Sequence, residues 1–255
     1  MINQKTLIEL SKEKKIDQFS VLREILQISF LNQLYQQTES KYIYFKGGTC
    51  LKLLYNSNRF SEDLDFSTKL EKKVIDQITD IAISKLKKEY PLISIKDEDS
   101  LAGVSKKITI PIEISKHPLT IRLDFSQREK CLHPQSKTIS TNLPVLSVSI
   151  IRCMNQKEIL AEKYRAIMTR TKGRDLYDFW FLLNKKVDFS IQLIQKKLKL
   201  YKETYQPQEF IKRINNWNEK ELDQDVRKFL PQTDRAVLSI LKKLIIEKLS
   251  ELKLN

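Results

Sequence analysis

The chain contains few of the residues that interrupt or cross-link a fold. Only four of its 255 residues are glycine and seven are proline, so turns are few and the helices are expected to be long. Three cysteines and two histidines form no CxxC pair and no zinc-ligand spacing, which argues against a disulfide framework and a structural zinc site. No apolar run approaches the roughly 18 to 20 residues of a membrane helix, and no signal-peptide pattern is present. We therefore expect a cytoplasmic protein with no membrane partner.

Acidic residues are too few to balance the basic ones. The sequence holds 46 Lys and Arg against 32 Asp and Glu, a formal net charge of +14. Such an excess attracts polyanions, and nucleic acid is the obvious partner. A lysine-rich proteome would give the same excess, so the charge supports nucleic-acid binding without establishing it.

Hydrophobic periodicity divides the chain near residue 150 into a mixed α/β half and a helical half. Helices are predicted at 4–15, 18–37, 49–55, 70–89, 156–171, 174–184, 188–200, 207–217, 221–229 and 233–252. Strands are predicted at 41–45, 63–67, 92–96, 105–115, 118–126 and 144–149. The prediction is an α+β protein, with a mixed sheet and flanking helices over 1–150 and a helical bundle over 151–255.

Two aspartates, Asp63 and Asp65, lie two positions apart in a predicted strand and therefore project to the same side. Adjacent carboxylates repel each other unless a cation lies between them. Mg²⁺ favours one or two carboxylates together with substrate phosphates, and Mn²⁺ is the alternative ion. The pair therefore predicts a metal site of the phosphoryl-transfer type.

Half of all the glycine in the protein lies in one dipeptide, Gly47-Gly48, between a predicted strand and a predicted helix. Without Cβ atoms the backbone approaches a phosphate closely, and the following helix offers unpaired N–H groups. Taken alone, the dipeptide is an ordinary turn and the aspartates are a solvated pair. Occurring in this order and one helix apart, they favour a shared site.

These residues carry a family resemblance over roughly 40–185. The chain reads Phe45-Lys46-Gly47-Gly48-Thr49-x-Leu51, then Arg59-x-Ser61-x-Asp63-Leu64-Asp65-Phe66. This string resembles the AbiEii/AbiGii nucleotidyltransferase-like toxins, a branch of the polymerase-beta-type superfamily found in toxin–antitoxin and phage-abortive systems. The resemblance implies nucleotidyl transfer, a nucleoside triphosphate substrate, tRNA or another RNA as acceptor, and an antitoxin partner. It also implies a set of nucleotide-binding residues, namely Gly47, Gly48, Thr49, Arg59 and Ser61.

The superfamily usually adds a third acidic residue from a later strand, and Asp124 is the candidate. Period-2 alternation places Arg122, Asp124 and Ser126 on one face of the strand predicted at 118–126. If this face also carries Asp63 and Asp65, Asp124 completes the catalytic and metal-binding set. The alternative is an Arg122–Asp124 ion pair on a solvent-facing strand.

A lysine falls on the apolar face of the helix predicted at 156–171. Helical spacing sets Lys163 midway between Ile159 and Ile167. Its charge is costly there unless the ammonium reaches an anion or snorkels to solvent. In the first case it contacts the triphosphate or acts as a general acid–base group. Its replacement by methionine would then impair transfer and leave the fold stable.

Two further aspartates, Asp175 and Asp178, share one face of the next predicted helix. Together with Lys163 they resemble the family's later motifs, in which a helix lysine and a downstream aspartate complete the active site. The resemblance does not settle which aspartate takes that role. Five apolar residues follow Asp178, so burial favours Asp178 as the catalytic acid and Asp175 as its nucleotide-binding partner.

Three other functions compete with RNA nucleotidyl transfer. A small-molecule nucleotidyltransferase, like the antibiotic-modifying relatives, would use the same site, but the net charge of +14 favours RNA. A degenerate fold that only binds nucleotide or nucleic acid would not need the intact glycine and aspartate residues. A metal nuclease would need the carboxylates but leaves the glycine pair unexplained.

Overall fold

One seven-stranded sheet organises the first half of the chain. The structure is a computed structural model that describes residues 2–100 and 103–252. The chain divides into two units, Met1–Met154 and Asn155–Asn255. The strands are β1 (Ile43–Lys46), β2 (Leu64–Thr68), β3 (Ser94–Glu98), β4 (Gly103–Ile110), β5 (Leu119–Ser126), β6 (Pro134–Lys137) and β7 (Ile151–Met154). Their spatial order is β3-β4-β5-β2-β1-β7-β6. The sheet is mixed, because β2 pairs with β5 in parallel and with β1 antiparallel.

Helices form most of the remaining regular structure. They are α1 (Gln4–Lys14), α2 (Gln18–Leu34), α3 (Gly47–Tyr55), α4 (Lys72–Leu86), α5 (Gln156–Thr169), α6 (Gly173–Asn184), α7 (Ile191–Lys199), α8 (Pro207–Asn215), α9 (Glu219–Val226) and α10 (Leu241–Glu251). Within the described residues, 3-10 segments occupy Thr38–Tyr42, Arg227–Phe229 and Gln232–Ile240. The mixed sheet with flanking helices and the helical second unit confirm the predicted α+β class.

An aromatic stack forms the core side of the sheet. Phe45, Phe66 and Phe125 lie opposite one another on β1, β2 and β5. The ring centroids are 5.5 Å apart for Phe45–Phe66 and 4.7 Å apart for Phe66–Phe125. α2 packs on α4 and on β5, and α4 packs on β3 and β4. Because successive side chains of a strand alternate between its two faces, the residues that precede and follow each phenylalanine along its strand project from the opposite face.

A second aromatic cluster lies at the centre of the helical unit. Tyr164 stacks on Phe210 with ring centroids 3.9 Å apart, and Phe179 meets Phe210 edge-on at 5.2 Å. Such rings bury large apolar areas and hold helices α5, α6 and α8 together. Within the part of the chain that the structure describes, no helix combines the length and the apolar character needed to cross a bilayer.

The sheet differs from the prediction at three places. The strand predicted at 144–149 is absent, because the alternating residues Leu146, Val148 and Ile150 are all more than 60% exposed and pair with no strand. The last strand along the chain is β7, which begins at Ile151 and lies between β1 and the edge strand β6. Strand β6 was not predicted, since its polar sequence carries no apolar alternation, and β4 ends at Ile110 rather than at 115.

Candidate active site

A row of polar residues crosses five strands on the face opposite the aromatic stack. The pairing register sets Glu98 beside Ser105, Ser105 beside Asp124, Asp124 beside Asp65, and Asp65 beside Lys46. Residues opposite each other on neighbouring strands project to the same face, with Cβ atoms about 5 Å apart. The structure therefore brings Asp65 and Asp124 together, as the sequence required for a shared acidic site.

Asp63 directly precedes β2 and is half-buried, whereas Leu64 beside it is fully buried. The pairing of Leu64 with Leu123 directs the preceding residue toward Arg122 on β5. Burial would lower the pKa of Arg122, but the Asp124, Glu98 and Asp63 carboxylates raise that pKa above its usual value. Asp63 and Asp124 thus lie near the same guanidinium, which places Asp63 close to the acidic row, the line of residues formed by Glu98, Ser105, Asp124, Asp65 and Lys46.

The glycine turn at the start of α3 fits closely against these groups. Gly47 has φ +80°, and a Cβ at this position would lie 3.0 Å from the Cβ of Asp65 and overlap its Oδ2. A Cβ on Gly48 would overlap the Arg59 guanidinium and lie 3.2 Å from Ser61 Oγ. Only glycine leaves room at both positions. The turn, Asp65, Arg59 and Ser61 therefore form one site.

Buried hydrogen bonds fix the segment that carries the aspartates. The Thr49 hydroxyl, which is buried, donates to the backbone carbonyl of Asp63. Gln27 on α2 donates from Nε2 to the carbonyls of Ser61 at 3.1 Å and Glu62 at 3.0 Å. Arg59 is 2% exposed and donates to the carbonyl of Phe60 at 2.9 Å. This segment is therefore held between α2 and α3 before any ligand arrives.

Asp124 has partners of its own. Ser105 donates to Asp124 Oδ1 at 2.7 Å, and Arg122 Nε donates to the same oxygen at 3.1 Å. The Arg122–Asp124 pair of the alternative interpretation is therefore present, and Asp124 also lies beside Asp65. Among residues 2–100 and 103–252, no group of three or more His, Cys, Asp or Glu side chains is arranged to hold a metal ion. Asp63 and Asp65, with Asp124 as the third candidate, remain the carboxylates that the sequence predicts as ligands of a hard cation, and substrate would supply the remaining ligands.

Lys163 lies in a buried ion cluster of the second unit. Its Nζ is 2.8 Å from Asp175 Oδ1 and 2.7 Å from Asp178 Oδ2. Arg170 also contacts Asp175, with Nε 2.7 Å from Oδ2. Burial opposes ionisation of Asp175, but the charges of Lys163 and Arg170 hold its pKa well below the usual value. The lysine therefore ends on buried aspartates within its own unit and does not snorkel to solvent.

Both Asp175 and Asp178 are buried, so burial does not show which of them is the catalytic acid. Asp175 is 2% exposed and Asp178 is 0% exposed. Both face the same ammonium, whereas Arg170 contacts Asp175 through two nitrogens.

Sequence reasoning missed three residues of the first unit. Lys46 lies beside Asp65, Ser105 donates to Asp124, and Gln27 holds the carbonyls before the aspartates. Lys46 stands next to Gly47 in the motif and could have been chosen for that reason. Ser105 and Gln27 gave no local signal, because their contacts depend on strand register and helix packing.

Comparison with known proteins assigns the chain to a family. The model of the AbiEii family, described as "Nucleotidyl transferase AbiEii toxin, Type IV TA system", matches residues 29–244. The chain belongs to this family. This AbiEii-family protein is accordingly a nucleotidyltransferase toxin of the type IV toxin–antitoxin class, which indicates a nucleoside triphosphate substrate and an antitoxin partner. The predicted family and enzyme class are both confirmed.

Solved structures share its fold at low sequence identity. MenT4, a nucleotidyltransferase toxin of Mycobacterium tuberculosis H37Rv, superposes with a TM-score of 0.63 at 16% identity, covering 97% of this chain and 90% of that one. JHP933 from Helicobacter pylori superposes with a TM-score of 0.59 at 22% identity, covering 93% and 96%. No curated protein sequence matches the chain significantly.

Proposed function

We propose that this AbiEii-family protein transfers a nucleoside monophosphate from a nucleoside triphosphate to a hydroxyl group of RNA, with tRNA as the expected acceptor. We further propose that the reaction needs Mg²⁺, or Mn²⁺ in its place, and inhibits growth until an antitoxin intervenes. One observation carries the proposal: the Gly47-Gly48 turn lies directly against Asp65, which is paired with Asp124 on the next strand.

The phosphate end of the substrate is assigned to the start of α3. This helix spans nine residues and has no acidic residue in its first turn, so its unpaired N–H groups and dipole favour an anion there. Gly47 and Gly48 let the backbone approach the phosphate chain. Ser61 and Arg59, which adjoin Gly48, then fix the turn and its distance from the carboxylates.

The metal proposal rests on the donor set. Asp63 and Asp65 are both half-buried, Asp65 lies against the turn, and the backbone of Asp63 is hydrogen-bonded to Thr49 of α3. Two such carboxylates match the preference of Mg²⁺ for one or two carboxylates plus phosphate oxygens. A bound ion would neutralise charge on the phosphate oxygens during transfer.

The acceptor hydroxyl attacks the α-phosphorus, the bond to the β-phosphate oxygen breaks, and pyrophosphate leaves. Ser105 and Arg122 both hold Asp124 Oδ1, so we assign Asp124 Oδ2 as the atom that receives the hydroxyl proton.

We also retain Lys163 and Asp178 as catalytic residues and Asp175 as their nucleotide-binding partner. What supports them is their match to the family's later motifs, together with an ammonium held between two buried carboxylates.

The RNA acceptor is favoured by a second, basic row on the same face of the sheet. The register aligns Lys96 on β3 with Lys107 on β4 and with Arg122 on β5, and all three side chains are exposed. Each lies two residues along its strand from the acidic row, about 7 Å away. A polyanionic backbone that contacts this row would bring its hydroxyl groups to the aspartates.

The test is to incubate the protein with each labelled nucleoside triphosphate, Mg²⁺ and total RNA. We expect labelled RNA from the wild type and none from Asp65→Asn or in the presence of EDTA. Label that appears only in small molecules would refute the RNA acceptor. Nucleotide binding without any transfer would show a protein that only binds nucleotide.

A further inference from the structure

A cavity of about 400 Å³ opens in the first unit between β1 and the segments that follow β2 and β5. Two tyrosines, Tyr42 and Tyr44, line it together with Lys69, Glu129 and Lys130. Its volume falls in the range of small-molecule sites. None of these five residues belongs to the glycine turn or the acidic row.

The cavity lies on the same face of the sheet as the candidate active site. Tyr44 precedes Lys46 by two residues on β1, and it pairs with Ser67, which follows Asp65 by two residues on β2. Two residues of strand span about 7 Å, and side chains two positions apart share a face. A nucleotide whose phosphate reaches Asp65 is long enough to place its base in this cavity.

The lining suits an aromatic, hydrogen-bonding ligand. Tyr42 is 52% exposed and Tyr44 is half-buried, so part of each ring reaches solvent. One cation lies over each ring, Lys41 at 5.0 Å from the centroid of Tyr42 and Arg152 at 5.8 Å from that of Tyr44. Lys69 and Lys130 are exposed cations at the rim. Glu129 is 2% exposed, and its carboxylate can accept hydrogen bonds from the amino groups of a base. Stacking surfaces beside basic residues are the usual arrangement for bases of single-stranded nucleic acids.

Hydrogen bonds join the two segments that form the cavity walls. Gln127 Nε2, after β5, donates to the carbonyl of Leu70, after β2, at 2.6 Å. Lys69 donates back to the carbonyl of Gln127. Thr68 donates to the carbonyl of Tyr42 at 2.9 Å, which ties the tyrosine segment to β2. The walls are therefore fixed by three strands of the sheet.

We propose that this cavity binds a nucleobase, stacked on Tyr42 and Tyr44 and read by Glu129. The proposal rests on the proposed function, because the active site supplies the reason for a nucleotide to lie here. The base belongs either to the incoming nucleoside triphosphate or to the terminal nucleotide of the acceptor RNA. Glu129 favours adenine, cytosine or guanine over uracil, since uracil lacks an exocyclic amino group.

The experiment measures binding rather than transfer, so it does not depend on catalysis. Dissociation constants are measured for each of the four nucleoside triphosphates with Mg²⁺, and separately for a short RNA and the same RNA with an abasic 3′ end. The proteins are the wild type, Tyr44→Leu, Tyr42→Leu, Tyr44→Phe and the control Tyr201→Leu, which alters a tyrosine of the helical unit.

Loss of one stacking ring should weaken binding about 5- to 100-fold, while Tyr44→Phe and Tyr201→Leu stay near the wild type. Weakening confined to the nucleoside triphosphates assigns the cavity to the substrate base. Weakening confined to the RNA that carries its terminal base assigns it to the acceptor. The proposal is overturned if both leucine variants bind every probe like the wild type. It is also overturned if the variants bind the abasic RNA as much more weakly as they bind the RNA that keeps its 3′ base. Binding losses of the expected size in a protein that transfers nothing would refute the proposed function and leave the cavity assignment standing.

Discussion

Replacing Lys163 by methionine should destabilise the protein, although the sequence alone predicts a stable fold. Methionine keeps the apolar stem but removes the ammonium that lies between Asp175 and Asp178. The three side chains are 11%, 2% and 0% exposed. Two buried carboxylates would then lose the positive charge of the ammonium between them, while Arg170 would remain in contact with Asp175.

The magnitude follows from the burial of the cluster. Removing one partner from a buried ion pair costs about 3 to 5 kcal/mol, because a charge is left in a poorly solvated place. For a chain of this size each kcal/mol lowers the melting temperature by about 2 to 4 °C. We therefore expect a drop of about 6 to 20 °C at neutral pH. The matched control is Lys157→Met on the same helix, where the ion pair with Asp188 is largely exposed and worth less than about 1 kcal/mol.

The deficit should also depend on pH. In the wild type the pKa of Asp175 is depressed, so its contribution is fully present above the unfolded pKa and is lost as the pH falls through the lower folded pKa. In Lys163→Met, burial without the ammonium raises the folded pKa of the carboxylates, so that variant loses stability as the pH rises through the raised pKa. The first effect acts below about pH 4. Between pH 4 and pH 8 only the second effect narrows the difference in the free energy of unfolding between the two proteins as the pH falls.

Thermal unfolding between pH 4 and pH 8 measures this gap, and Lys163→Met/Asp178→Asn provides the internal check. Removing both charges of a buried pair is close to neutral, so the double variant should recover most of the lost stability. It should not recover nucleotidyl transfer if the lysine serves the reaction. A wild-type melting temperature for Lys163→Met at pH 8 would refute the account of the cluster as a buried, mutually dependent set.

Three further predictions concern the first unit. Asp65→Ala should abolish transfer and hold or raise the melting temperature, because it relieves repulsion beside Asp124; a large drop in melting temperature would indicate a structural role. Gly47→Ala should destabilise the protein by about 1 to 2 kcal/mol, since alanine is strained at φ +80°, and should impair transfer by displacing Asp65; normal transfer would contradict the close approach. RNA affinity should fall steeply with salt, and Lys96→Gln should reduce the slope of log affinity against log salt by about 0.7, whereas a flat response would show that the net charge reflects composition only.

The parts of the site that were predictable are local in sequence. The Gly47-Gly48 turn could be predicted from composition, because half of the glycine in the chain lies in these two adjacent positions. Asp63 and Asp65 follow from the two-residue period of a strand, which relates neighbours without reference to the rest of the fold. Strand alternation likewise predicted the face of the strand on which Asp124 lies. It did not predict which residue of the neighbouring strand lies beside Asp124.

What was not predictable depends on register between distant segments. That Asp124 lies beside Asp65, and Ser105 beside Asp124, follows from the pairing of β2, β5 and β4. A shift of one residue in that pairing would send Asp124 to the opposite face. Alternation in one strand contains no information about such a shift. The wrong prediction of a strand at 144–149 has the same cause. Leu146 and Val148 show the alternation of a strand, but they are exposed and pair with no neighbouring strand.

The Lys163 cluster shows that helical spacing can predict the burial of a residue without predicting which group it contacts. Spacing placed the lysine on the apolar face, and the cost of a buried charge required an anion or an escape to solvent. Substrate phosphate and solvent were the two solutions that the sequence suggested. The structure supplies another, because α6 returns along α5 and brings Asp175 and Asp178 to the ammonium. A lysine that already balances two buried carboxylates is fixed in position, so any part it takes in the reaction would be that of a preoriented group whose removal affects folding as well as chemistry.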